Sequence, residues 1–232
     1  MRIRGFIETS LLDWDKKVVS VIFVGGCNFR CPFCQNSDLA NDAKSLPPIE
    51  WEDIKKTLEK KRKWLDGVVV SGGEPMMHPE IFGLLIKIKE LGYKVKVDTN
   101  GYYPYPLKEA IELGLVDYVA MDIKTALDER YYKAIGRTIH FVVIERTIRL
   151  LKECGLGYEF RTTLVPNLVG EQELLAIAEK LTPAKKLVLQ QYVPKNARLA
   201  RYRKIKPYLP EQAQEFQKLI KKYFTQVSLR GY

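Results

Sequence analysis

Long apolar runs are missing from this sequence. None approaches the roughly 20 residues that a helix needs to cross a bilayer, and the first residues carry Arg2 and Arg4 but no apolar segment of signal-peptide type. The expected address is therefore the cytoplasm. Histidine is almost absent, with only His78 and His140, and cysteine comes to four, too few for a disulfide scaffold. Fifteen glycines, twelve prolines and 11% aromatic residues are too ordinary for a collagen-like or disordered chain. What is present is 46% hydrophobic material over 232 residues, enough for one sizeable core. The chain reads as a single domain over 1–232, with a core over about 18–193 and a basic loop and helix over about 194–232.

Acid is short relative to base, 28 residues against 38, giving a net charge of +10. Much of the excess lies at Lys55, Lys56, Lys60, Lys61, Arg62 and Lys63, where a charged run on a helix mostly solvates a face. Charge alone therefore argues little for nucleic acid.

Short apolar runs alternate with helical patterns along the chain. Strands are expected over 18–24, 68–71, 94–99, 116–122, 158–164 and 186–192. Helices are expected over about 48–64, 79–91, 106–113, 128–135, 141–154, 171–181 and 210–224, several of them closed by a glycine or followed by a proline. Strands separated by helices require right-handed crossovers and a parallel sheet buried on both faces, which suits their valine and isoleucine content. The fold class is α/β, and ligands in such folds gather at the carboxyl ends of the strands.

The first strand runs into Gly25-Gly26-Cys27-Asn28-Phe29-Arg30-Cys31-Pro32-Phe33-Cys34, a CxxxCxxC cluster. Three cysteines do not close a tetrahedral zinc site, and neither histidine lies nearby. Three cysteines on a cuboidal iron–sulfur cluster leave one iron open to a ligand. Further polar groups stand at the later strand ends: Gly72-Gly73-Glu74-Pro75, Asp98-Thr99-Asn100-Gly101, Asp122-Ile123-Lys124, Arg161 and Gln190-Gln191-Tyr192.

Taken together these motifs resemble the radical S-adenosylmethionine (SAM) superfamily, and the resemblance covers nearly the whole chain. The phrases around Gly5-Phe6-Ile7, Thr9 to Trp14 and Val24 to Asn36 are most similar to activating proteins of anaerobic ribonucleoside-triphosphate reductase, with pyruvate formate-lyase activating enzyme as a cousin. The resemblance implies a partial (β/α)6 TIM-like barrel in which Cys27, Cys31 and Cys34 hold a 4Fe-4S cluster. It implies SAM held by Gly72, Gly73, Glu74, Asn100, Asp122, Lys124, Arg161, Phe33 and Gln191. It further implies reductive cleavage of SAM, a 5'-deoxyadenosyl radical, and hydrogen abstraction from a glycine of a partner enzyme, with flavodoxin or ferredoxin as electron donor. Many relatives carry histidine where Gln35 stands; glutamine keeps the polarity but cannot titrate.

Cys154 is the one cysteine left over, which restricts the chain to one cluster and reads as a small buried apolar residue. His78 and His140 read as caps or surface residues, with His78 close enough to the glycine-rich loop to line the site. The cations Lys195, Arg198, Arg201, Arg203, Lys204 and Lys206 follow the last expected strand without an intervening acid, fitting either a docking face or a solvated loop. Two other functions stay open: a radical SAM enzyme acting on RNA or a small molecule, and a non-enzymatic zinc or iron–sulfur protein.

Overall fold

The structure, a computed structural model, describes residues 1–42 and 45–232. In chain order the elements are β1 (Ile3–Ser10), β2 (Val19–Val24), α1 (Ser37–Ala40), α2 (Trp51–Lys60), β3 (Gly67–Gly72), α3 (Ile81–Glu90), β4 (Lys94–Thr99), α4 (Pro104–Glu112) and β5 (Tyr118–Asp122). They continue with α5 (Glu129–Ile135), α6 (Phe141–Glu153), β6 (Gly157–Leu164), α7 (Glu171–Leu181), β7 (Ala184–Gln191), α8 (Ala200–Arg203), α9 (Pro210–Ile220) and β8 (Phe224–Arg230). The strands follow one another in the sheet in chain order. This is the α/β architecture the alternating pattern requires. Among the described residues no helix is long and apolar enough to cross a membrane.

The chain divides into two compact units. The first comprises Met1–Asn28, Asp38–Ala120 and Cys154–Gly157. Here β2, β3 and β4 run parallel, with Val19 opposite Gly67 and Val24 opposite Gly72. That register brings β2 and β3 to an end at the same level, so the cysteine loop and the glycine-rich loop leave the sheet side by side. Val68, Val69, Val70, Val95 and Val97 are fully buried, as strands covered on both faces must be. Ile81, Leu84, Leu85 and Ile88 of α3 recur at the spacing of one helical face and are buried. In α2 the buried Ile54 and Leu58 make a similar stripe, with Glu52 and Asp53 at the positive helix start and Lys60 at its end.

The second unit comprises Phe29–Ser37, Met121–Glu153 and Tyr158–Tyr232. β6, β7 and β8 run parallel, Phe160 facing Leu187 and Leu187 facing Val227. Ile144, Ile148 and Leu151 of α6 and Leu174, Ile177 and Leu181 of α7 supply its apolar faces. Glu159 on β6 is almost fully buried and lies 3.3 Å from both Lys186 on β7 and Arg230 on β8, which leaves that buried charge paired, as burial demands.

All six expected strands are present, with bounds moved by at most two residues. Two further strands flank them. β1 pairs antiparallel with β2, its register shifted between Ile3 and Gly5 and again between Ile7 and Ser10, and its second half is largely exposed. Such an edge strand has no clean alternation to read. The helix expected over 210–224 ends at Ile220, and Phe224–Arg230 forms β8 instead; only Phe224 in it is buried, so a polar edge strand reads as a tail. Cys154 is half-buried rather than buried, because α6 ends at Glu153 and the cysteine sits in the turn beyond it.

Candidate active site

In the first unit three motifs far apart in sequence meet. The Gly26 carbonyl accepts a hydrogen bond from Glu74 N at 2.8 Å, and Gly73 N donates to the Val24 carbonyl at 2.9 Å. The approach is so close that a Cβ on Gly73 would lie 1.7 Å from Gly26 O; Gly72, at φ +119°, would place one 2.3 Å from Val24 O. No side chain fits at either position. His78 bonds through Nε2 to the Gly25 carbonyl at 2.8 Å and so braces the same turn from the side.

Glu74 is completely buried, and both of its oxygens are engaged. Oε1 accepts from Met76 N at 3.1 Å and from Thr99 Oγ1 at 2.8 Å, while Oε2 accepts from Asn100 N at 2.6 Å. The carboxylate therefore ties the glycine-rich loop to the end of β4. Asn100 in turn accepts from Tyr102 N through Oδ1 and donates through Nδ2 to Asn28 Oδ1 at 2.8 Å and towards Cys27 Sγ at 3.8 Å. Behind these groups Lys96 is fully buried, 3.7 Å from Asp98, which also accepts from Ser71 Oγ at 3.1 Å. Cys27, Gly72, Gly73, Glu74 and Asn100 are thus linked within this unit by hydrogen bonds and backbone contact.

In the second unit the cysteine loop is held by its main chain. Arg30 N donates to Ile135 O at 2.8 Å and Cys34 N to Cys31 O at 3.2 Å. Cys31 and Phe33 are buried, and Cys34 is half-buried. Asp122 accepts from Arg161 Nε and from Lys124 Nζ, each at 2.8 Å. Burial opposes charge on Asp122, but the Arg161 and Lys124 cations outweigh it and hold the carboxyl well below its ordinary range. For Lys124, burial works against the cation, while Asp122 and then Cys31 act in its favour, and the outcome is a raised pKa. Tyr131, wholly buried nearby, has its phenol pushed up chiefly by burial. Gln191 ends β7 half-buried beside Gly231.

Sequence reasoning missed Asn28 and Thr99, although both sit inside the quoted motif phrases, and it missed the buried Lys96–Asp98 pair. His78 does line the turn. His140 is exposed and Gln35 is exposed. Among the described residues no three histidine, cysteine or carboxylate side chains stand ready in the geometry of a metal site.

Residues 21–181 match the radical SAM superfamily. A protein of Methanocaldococcus jannaschii, provisionally named a glycyl-radical enzyme activating enzyme, is 32% identical over 98% of this chain and 95% of its own length. The pyruvate formate-lyase-activating enzyme of Clostridium pasteurianum is 30% identical over 74% of this chain and 72% of its own. Among solved structures, SuiB of Streptococcus suis bound to S-adenosylmethionine superposes with a TM-score of 0.69 at 18% identity, over 92% of this chain and 50% of that one; the likeness is one of fold, and this chain spans half that structure's length. The chain belongs to the radical SAM superfamily and, within it, to the family of glycyl-radical-enzyme activating enzymes.

The cofactors that go with this membership are a 4Fe-4S cluster and SAM. The residues fit them. Cys27, Cys31 and Cys34 are free thiols of the soft kind that iron–sulfur clusters take. The Asn100 amide is directed at Cys27 Sγ, as an outer hydrogen-bond donor to a metal-bound sulfur would be.

Proposed function

We propose that this chain cleaves SAM reductively and abstracts hydrogen from a glycine of a partner enzyme, the partner being an anaerobic ribonucleoside-triphosphate reductase. The observation that carries the reading is the meeting of CxxxCxxC, GGEP and DTNG: the Gly26 carbonyl on Glu74 N, and the Asn100 amide at Cys27 Sγ. A loop that binds zinc for structure alone gives no reason for a fully buried glutamate to fix an asparagine beside a cysteine.

When bound, the cluster and SAM supply a one-electron cleavage that yields methionine and a 5'-deoxyadenosyl radical. In this reading Cys27, Cys31 and Cys34 hold the cluster. Gly72 and Gly73 present main chain to SAM, and Glu74 orders that loop from behind. Asn100 keeps its amide beside the cysteine and the ribose. Asp122, Lys124 and Arg161 offer paired charges to the methionine and ribose groups, Phe33 an apolar contact, and Gln191 a polar group beside adenine. Flavodoxin or ferredoxin supplies the electron, and the protein works in the cytoplasm.

The test is anaerobic reconstitution with iron and sulfide, followed by electron paramagnetic resonance of the reduced protein with and without SAM, in wild type and Cys31→Ala. A cluster signal that changes with SAM, is lost in Cys31→Ala, and is accompanied by 5'-deoxyadenosine supports the reading. A glycyl radical signal on added reductase supports the partner. Bound zinc in place of a cluster would sink the mechanism, and turnover directed at RNA or a small molecule would displace the partner.

A further inference from the structure

The basic segment after β7 is a built surface, joined to the cysteine loop by its main chain. Within the second unit Arg198 N donates to Cys34 O at 3.1 Å and Leu199 N to Pro32 O at 3.0 Å. The segment is also internally fixed. Tyr192 Oη donates to Tyr202 O at 2.9 Å, and Arg203 Nε donates to Ala197 O at 2.7 Å, with Ala197 fully buried between them in sequence. A merely solvated loop has no need of such ties.

Its outer face is uniformly cationic. Lys195, Arg201, Arg203, Lys204 and Lys206 are exposed, and among the described residues none of them lies within ion-pair distance of a carboxylate. Arg30, in the cysteine loop itself, is exposed in the same way. Two apolar side chains break the charge, Val193 at 48% and Leu199 at 40% exposure. Cations left without carboxylate partners beside a small apolar centre suit a brief, charge-steered encounter with a protein of opposite sign.

We propose that this face docks an acidic one-electron carrier protein, and that residues 193–206 with Arg30 form the electron-entry surface. The inference rests on the functional reading above, since only a reductive enzyme needs such an entry. The carrier is favoured over other occupants by position and chemistry. The segment is bonded to the carbonyls of Pro32 and Cys34, so a protein seated on it reaches the cysteine loop through a few covalent and hydrogen-bonded links. Single-stranded RNA needs free aromatic faces for its bases, whereas the Tyr202 ring lies under Arg201 at 5.6 Å and Tyr208 is packed edge-on against Phe216. In the encounter the carrier would give up one electron, which a cluster held by Cys27, Cys31 and Cys34 would accept, and no bond is made or broken at the surface.

The experiment uses the full chain and an acidic flavodoxin as probe. Binding is followed by isothermal titration calorimetry at low and high salt for wild type, for the quadruple variant Lys195→Gln, Arg201→Gln, Lys204→Gln and Lys206→Gln, and for a control with Lys55, Lys56, Lys60 and Lys63 changed to Gln. The control removes equal charge from a helix in the other unit. Expected are a loss of about tenfold or more in affinity for the first variant at low salt, with its salt dependence flattened, and wild-type affinity in the control. Dithionite-driven formation of 5'-deoxyadenosine stays unchanged in both. Equal loss in both variants means that only net charge is sensed and overturns the proposal, as does unchanged flavodoxin affinity. Loss of dithionite-driven activity in the quadruple variant assigns the segment a structural role and also overturns it, as would a defect confined to binding RNA or the reductase. If the wild type cleaves no SAM at all, the functional reading fails on that measurement, independently of the binding data.

Discussion

Replacing Glu74 by glutamine changes one atom and should loosen the junction of three loops. The wild-type carboxylate is acceptor-only and takes Met76 N, Thr99 Oγ1 and Asn100 N. A glutamine keeps one acceptor oxygen and turns the other position into a donor. If its oxygen stays with Met76 and Thr99, its amide faces the Asn100 N–H; if it turns round, it faces the Met76 N–H. Either way one buried donor is orphaned, at a cost of about 2 kcal/mol. For a chain of this size that corresponds to a fall in Tm of about 4–8 °C. Glu74→Ala, which orphans all three donors and leaves a cavity, should cost about 4 kcal/mol or more. Urea denaturation of the cluster-free chain reads the totals, and hydrogen exchange reads the place: whichever of the Asn100 and Met76 amides faces the new NH2 should lose about thirtyfold in protection. A Glu74→Gln protein as stable as wild type to within about 0.5 kcal/mol, or one in which the Asn100 and Met76 amides both keep their protection, would refute the assignment of this carboxylate as the tie between the loops.

Other outcomes follow from the same geometry. Gly73→Ala, which would set a Cβ 1.7 Å from Gly26 O, should prevent stable folding or cost more than about 3 kcal/mol, whereas Gly83→Ala in α3, with open space around it, should raise stability by about 0.5–1 kcal/mol in the same denaturation assay. Changing Cys27, Cys31 or Cys34 singly to alanine should abolish the brown iron–sulfur absorption after reconstitution, and Cys154→Ala should leave it intact. Asp122 has a folded pKa held below the unfolded value of 3.8, so its contribution to stability is complete above that value and is lost as the pH falls towards the folded one. Asp122→Asn should therefore lower stability at neutral pH and flatten the acid limb of a stability profile below about pH 4, and a variant profile parallel to wild type would count against the charge pairing.

The fold was legible where burial on both faces makes strands continuously apolar, as in Val68 to Val70, and where helices carry a single stripe, as in α3. It was illegible at the edges: β1 and β8 pair on one side only, so their sequences need no apolar run. At the site, the residue types at strand ends could be picked out because chemistry restricts them, but their partners could not. Nothing in the phrase Gly72-Gly73-Glu74-Pro75 says that the glutamate will be claimed by Thr99 and Asn100. Lys96 shows the same limit: a lysine within an expected strand names no partner, yet it is fully buried, because Asp98 and the Asp13 carbonyl await it on the inner side.

Gly73 carries one more consequence, for how such sequences diverge. Its missing side chain is demanded by the main chain of Gly26 crossing over it, a requirement independent of any substrate. A descendant of this protein that had given up its chemistry would be free to lose cysteines and charged residues one by one, but it would keep this glycine for as long as the two loops cross. Its persistence in a distant sequence is therefore a record of shared architecture, and only the residues that touch the reactants record shared trade.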